Sequence, residues 1–263
     1  MLSSKTKILQ LIVTLSACAF LLVPTILSVM AGVTANYFKG ISSGLTLKWI
    51  YRVWELYADS IFLSLWLAFA CLICTLIIGL PAAYGLARNP GWLSRLLEEF
   101  ISLPLAVPGL ALALALLQLY GSMKGFRASW TFILVGHVLY TLPFMVRSIL
   151  AVLGAMDLKT LEEGAATLGA SPWQRFRDIV VPNAMPGILA GALTVVTLSI
   201  GEFNLTWMLH TPYLKTLPVG LADSYASMRL EIASAYTLVF FVLIVPLLMA
   251  MQWGSARAQR IAK

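Results

Sequence analysis

The chain is 263 residues long, 60% hydrophobic and only 11% charged, with a mean hydropathy of +0.89. Those values exclude a water-soluble domain of this size, which would need far more polar surface to cover it. The net charge of +7 then speaks for basic residues facing anionic lipid at membrane ends, and gives no ground for a nucleic-acid partner.

A bilayer core of about 30 Å takes roughly 20 apolar residues per helix. Six runs of that kind stand between charge and turn clusters, at approximately residues 8–31, 60–87, 100–120, 130–153, 184–209 and 232–253. They are too long and too uniformly apolar for transmembrane β-strands, whose signature is short alternating segments. The expected fold is an all-α membrane protein, a six-helix bundle forming one domain over residues 1–263.

The first run follows Lys5 and Lys7 and precedes the small residues Val33, Thr34 and Ala35, so it imitates a secretory signal. At about 24 residues it exceeds the usual apolar core of such a signal, and an uncleaved helix is expected. Cys18, Cys71 and Cys74 all fall inside apolar runs with no metal ligands nearby, and read as small hydrophobes. No cofactor or metal site is expected. Residues 34–59 form a longer connection whose Tyr37, Phe38, Trp49, Tyr51, Trp54 and Tyr57 suit a membrane–water interface.

Orientation follows from Lys and Arg placement, because basic loops are retained in the cytoplasm. Lys5, Lys7, Arg88, Arg95, Arg147, Lys159, Arg175, Arg177, Arg257, Arg260 and Lys263 make up most of the 18 basic residues and fall on the side of the termini. Both termini are therefore expected in the cytoplasm. An internal echo joins two runs: Pro104, Ala106, Pro108 and Gly109 open the third, and Pro182, Ala184, Pro186 and Gly187 open the fifth. Proline is tolerated in a first helical turn, and the glycines permit close helix approach.

The connection between the fourth and fifth runs carries the strongest signal. Thr160 followed by Glu163 has the form of a capping box, and Gly169 is placed to end that short helix in a left-handed conformation. Ser171, Pro172, Trp173 and Gln174 supply a second cap, and Pro182 is expected to close the segment before the fifth run. Trp173, Phe176 and Val180 repeat at helical spacing, with Arg175, Arg177 and Asp178 on other faces. The prediction is an ordered helix–turn–helix elbow over residues 157–182, outside the membrane and suited to a partner.

Glu163, Ala165, Gly169, Ile179 and Pro182, at this spacing, resemble the EAA loop of ATP-binding-cassette importer permeases. Gly164 stands where a second alanine is usual, and Val181 replaces leucine. The likeness extends to Ser102 through Gly109, to Ile200-Gly201-Glu202-Phe203 and to Thr216 through Gly220. It is greatest to the spermidine/putrescine-type group, whose relatives also serve iron(III), thiamine and 2-aminoethylphosphonate. The resemblance implies a type I importer permease of the bacterial inner membrane that makes half of a pore, with a second and related permease chain as the other half. It implies a cytoplasmic dimer of ATP-binding subunits gripping Glu163, Gly164, Ala165, Gly169, Trp173, Ile179 and Pro182. A periplasmic or extracellular solute-binding protein would deliver a small solute, a polyamine, phosphonate or similar. No phosphate-binding Gly-rich loop with Lys and Ser/Thr occurs in the chain, so its ATPase is a separate subunit.

Glu202 is the acid placed well inside an apolar run, where a carboxylate needs protein or water around it. On one continuous helix Thr194, Leu198, Glu202 and Leu205 would share a stripe, with Asn204 and Thr206 close by. Glu202 either pairs with a neighbouring helix or lines a translocation path with Thr194, Leu198 and Asn204. His137 and His210 read as packing histidines with satisfied hydrogen bonds. Trp207 and Met208 fit an interface anchor or a gate equally well. The rival function is an ion-coupled secondary transporter using Glu202 and His137 as a relay. An enzyme is disfavoured, since no nucleophile or acid–base pair can be named.

Overall fold

A computed structural model describes residues 4–261, all helical apart from turns, connecting segments and two isolated bridges. Lys263, counted above among the inner charges, lies outside them. The helices are α1 (Ser4–Ala31), α2 (Lys48–Arg88), α3 (Trp92–Ala106), α4 (Gly109–Tyr120), α5 (Lys124–Arg127) and α6 (Trp130–Leu153). They continue as α7 (Leu158–Thr167), α8 (Pro172–Arg175), α9 (Val181–Gly201), α10 (Asn204–Leu209), α11 (Leu217–Ala226) and α12 (Leu230–Ile261). Five of the described helices are long and apolar enough to cross a membrane, and six spans result if α3 and α4 count as one broken crossing.

Three expectations need correction. The connection expected over residues 34–59 is shorter, because its second half is helical: α2 is a single helix of 41 residues, about 60 Å long at 1.5 Å per residue. Trp49, Tyr51, Trp54 and Tyr57 are therefore helical. The third run is not one helix, because α3 and α4 meet at 102°. Val107 precedes a proline and is pushed extended, at φ −98° and ψ 127°, and Pro108 then caps α4. Pro104, expected to open the span, lies inside α3. The fifth run is also interrupted, since α9 stops at Gly201 and Glu202 turns extended at ψ 118°.

The chain divides into two compact units. The first comprises residues 1–58 and 220–244. Within it α1 is exposed along most of its length, as suits a helix solvated by lipid, and its last turn, with Val29, Met30 and Ala31, is half-buried. Its C-terminal end crosses α12 closely: a Cβ on Gly32 would stand 2.3 Å from the Ala235 nitrogen. Beyond α1 the chain is tied back by Glu231, whose carboxylate accepts the Tyr37 N–H at 3.1 Å, and by the Trp49 indole N–H, which donates to the Thr34 carbonyl at 3.0 Å. Tyr57 stacks on Tyr236 at 4.9 Å and bonds Ser224 at 2.8 Å.

The second unit comprises residues 59–219 and 245–263. Its spine is the α6–α9 pair, where Gly187 and Gly191 bring α9 against Met145, Ser148 and Ile149 of α6. Lipid chains are as apolar as leucine, so such pairs hold by close van der Waals packing rather than by hydrophobic exclusion. One apolar cluster gathers Ala83, Leu86, Met145, Ile149, Leu158, Val180 and Ala184. A second joins α4, α6 and α10 through Leu112, Leu116, Phe132, Leu205 and Leu209.

Candidate functional site

The elbow between α6 and α9 is built from its own caps. Asp157 caps α7, accepting the Thr160 N–H at 3.2 Å and the Thr160 hydroxyl at 2.7 Å. The hydroxyl and then the N–H hold the Asp157 carboxyl below the usual carboxylate range. This corrects the expected Thr160–Glu163 box: Thr160 is a donor inside the first turn, because the helix starts earlier. Gly169 ends α7 at φ +84°, as expected. The Ala170 N–H reaches the Ala165 carbonyl at 3.1 Å and the Gly169 N–H reaches Ala166 at 3.0 Å, the paired bonds of a Schellman turn.

The second cap forms as the sequence implies. The Gln174 N–H donates to Ser171 Oγ at 3.3 Å and the Ser171 N–H to Gln174 Oε1 at 2.7 Å, with Pro172 at the first helical position. Pro182 does not end the segment. Phe176–Val180 widens into a π-helical turn and α9 follows without a break to Gly201. That wide turn shifts the hydrogen-bond register, so the N–H missing from Pro182 falls where the ladder is already rearranged. The Asn183 amide donates to the Ile179 carbonyl at 2.8 Å nearby.

The motif residues separate into two groups. Ala165, Gly169 and Ile179 line one shallow cavity of about 360 Å³, together with Leu168, Gln174 and Asp178. Glu163, Gly164, Trp173 and Pro182 are exposed outside it. Glu163 meets Lys159 at 3.8 Å, with both side chains largely in solvent, and such pairs contribute little. Leu168 and Trp173 present large apolar surfaces, 89% and 66% exposed.

The residue that sequence reasoning missed is Glu162. It is 3% exposed, accepts the Tyr84 hydroxyl at 2.5 Å on one oxygen and meets Arg88 Nε at 3.1 Å with the other. The signal was present: Glu162 lies one turn beyond Leu158, the buried apolar residue of α7, and so shares its inward face.

A second polar centre sits where α9 breaks. Glu202, 8% exposed, accepts the Leu205 N–H at 3.1 and 3.2 Å and the Thr206 N–H at 3.5 Å, closing the start of α10. A carboxylate accepting N–H groups at a helix start supplies what the interrupted ladder lacks. The start of α4 abuts it, since a Cβ on Gly109 would lie 3.3 Å from Glu202 Oε1. The predicted stripe of Thr194, Leu198, Glu202 and Leu205 does not exist as one helix face, because the break separates Glu202 and Leu205 from α9. Thr194 turns its hydroxyl to the Ala190 carbonyl at 2.9 Å, Leu198 is half-buried and Asn204 is exposed.

His137 is a satisfied packing histidine. Its Nδ1 bonds Ser199 Oγ at 2.8 Å and its Nε2 bonds Thr206 Oγ1 at 2.7 Å, joining α6 to α9 and α10. Hydroxyls donate or accept as needed, so a neutral ring is satisfied in either tautomer. His137→Leu should lower the melting temperature of the purified chain, because two buried hydroxyls lose their partner at about 1–3 kcal/mol. An unchanged melting temperature would contradict this role.

Residues 75–260 match the family described as the binding-protein-dependent transport system inner membrane component. The chain belongs to that family. It is thus the permease subunit of an ATP-binding-cassette importer, and the matched stretch contains both the elbow and the Glu202 break. This permease is 26% identical over 247 residues to the putative 2-aminoethylphosphonate transport system permease protein PhnV of Salmonella typhimurium, covering 93% of this chain and 90% of that one. It is 29% identical over 221 residues to the molybdenum transport system permease protein ModB of Haemophilus influenzae, covering 77% and 95%. Its fold is similar to a chain of a bacterial ABC transporter that imports the acidic polysaccharide alginate, with a TM-score of 0.71, 16% identity and coverage of 96% and 98%. A binding-protein-dependent system is a different class from the ion-coupled secondary transporter considered above.

Proposed function

We propose that this permease forms half of a solute pathway as a single transmembrane domain, with a second permease chain of related sequence as the other half. A dimer of cytoplasmic ATP-binding subunits drives it through the elbow, and a periplasmic or extracellular binding protein loads it from the opposite side. Both termini share the cytoplasmic side with the elbow. The observation that carries this reading is an elbow fully ordered by its own caps that leaves Glu163, Gly164, Gly169, Trp173 and Pro182 exposed beside a cavity lined by Ala165 and Ile179. Closure of the ATPase dimer would push this lever and move α6 and α9, which flank it, as a rigid pair.

The names of the relatives favour an anionic cargo of the phosphonate or molybdate kind over a polyamine. Glu202 has a structural task of its own, because its oxygens accept the backbone N–H groups that open α10. Asn204, Thr194 and Leu198 are the side chains we assign to the path, with Glu202 shaping it through the α9–α10 break. Reconstitution with the ATP-binding and solute-binding partners in vesicles tests the reading. Uptake of 2-aminoethylphosphonate or molybdate should require ATP, and uptake of putrescine should be absent. Accumulation driven by a proton gradient without ATP would refute the assignment.

A further inference from the structure

We propose that Glu162 is a positioning residue that latches the elbow to α2, so that the motion of the elbow reaches a third helix besides the two it joins. The inference rests on the elbow being the ATPase contact. Tyr84 and Arg88 stand one turn apart near the C-terminal end of α2, and each engages a different oxygen of the same carboxylate, at 2.5 and 3.1 Å. Glu162 is thus held at two points along one helix, 78 and 74 positions away in sequence.

The contact continues across the elbow. The Tyr84 ring lies 5.4 Å from Phe176, Phe176 stacks on Trp173 at 5.8 Å, and the Arg88 guanidinium sits 5.8 Å from the Tyr84 ring. A path of touching groups therefore runs from the exposed Trp173 on the docking face, through Phe176 and Tyr84, to the inner side of α7. Leu158 and Val180 of the elbow share one apolar cluster with Ala83 and Leu86 of α2. A buried carboxylate cannot leave two donors for such surroundings without standing unpaired, so separation of α7 from α2 is strongly disfavoured. Arg88 is 45% exposed and solvent screens its share, so the Tyr84 hydroxyl is the stronger grip. Glu163, the neighbouring acid, points outward and has no part in this.

Two mild variants test the latch in the reconstituted complex: Tyr84→Phe, which keeps the ring against Phe176, and Glu162→Gln, which keeps the shape. With 2-aminoethylphosphonate and molybdate as probes, both variants should bind the ATP-binding subunits in normal amounts and still hydrolyse ATP. The ATP consumed per solute moved should rise about tenfold in each, the change expected for loss of one charge-assisted hydrogen bond. Both variants weaken the grip on one carboxylate, so their effects in the double variant should add up to less than the sum of the singles. Normal uptake per ATP in both variants overturns the latch, as does a loss of uptake that merely follows loss of the ATP-binding subunit. Glu163→Lys in the same assay separates the two levels: if it too binds and transports normally, the reading of the elbow itself has failed.

Discussion

Leucine at position 187 is expected to cost this permease about 3 kcal/mol, the upper part of the range for overpacking, and to show as a melting temperature several degrees lower in detergent. The reason is specific to the atoms it meets. A Cβ on Gly187 would lie 2.6 Å from the Ser148 carbonyl oxygen and 2.9 Å from the Ile149 Cα, both backbone atoms of α6 that cannot rotate away. At Gly191 the obstacle at 2.7 Å is the Met145 sulfur, the flexible end of a side chain that can move. At Gly85 nothing stands within 4 Å, and alanine there should stabilise the helix slightly through propensity. The expected order of melting temperature is Gly85→Ala above Gly191→Ala above Gly187→Leu. A Gly187→Leu chain as stable as the parent would mean that α6 and α9 do not approach as closely as described.

That close approach bears on function, because α6 and α9 are the helices the elbow joins. Tight backbone packing makes them move together rather than slide, and a lever acting on either end then displaces both. The break at Glu202 has the opposite consequence. It divides the fifth crossing into a long arm tied to the elbow and a short arm, α10, packed with α4 and α6. His137 bridges the arms through Ser199 on one and Thr206 on the other.

Hydrophobic run length was enough to place α6 to the residue and α1 nearly so, because a crossing is an average property of some twenty side chains. The same averaging hid the breaks. Pro108 and Glu202 remove only local hydrogen bonds and hardly change the mean hydropathy of the runs that contain them, so two interrupted crossings looked continuous. Pro182 misled in the other direction. A proline stops a helix only when the register demands its N–H, and the π-helical turn at Phe176–Val180 is a property of the folded ladder that residue types do not announce. In the elbow, Gly169 and the Ser171–Gln174 cap were legible because they are local. The inward placement of Glu162 was legible from its spacing to Leu158, but its partners were not, because Tyr84 and Arg88 are brought to it only by the tertiary packing of α2.

Two changes to the exposed side of the elbow should strongly reduce transport without disturbing the membrane domain. Gly169→Asp forces a side chain into φ +84°, which costs an L-residue about 1–2 kcal/mol, and it sets a charge beside the cavity lined by Ala165 and Ile179. Glu163→Lys reverses a charge that meets Lys159 in an exposed contact of 3.8 Å. Breaking that pair changes stability by well under about 1 kcal/mol, so any large effect of Glu163→Lys has to come from a partner. Both variants should reach the membrane at normal levels and retain the parent melting temperature to within a few degrees. ATP-dependent uptake should fall at least about tenfold, the equivalent of roughly 1.4 kcal/mol of lost coupling, and the ATP-binding subunit should co-purify poorly. The comparison is informative because the two changes share no fold-level mechanism: one strains the backbone, the other touches only solvent-facing charge. If both fail together, the feature they have in common is the surface offered to the ATP-binding subunit; if both transport and co-purify normally, the elbow is not that surface.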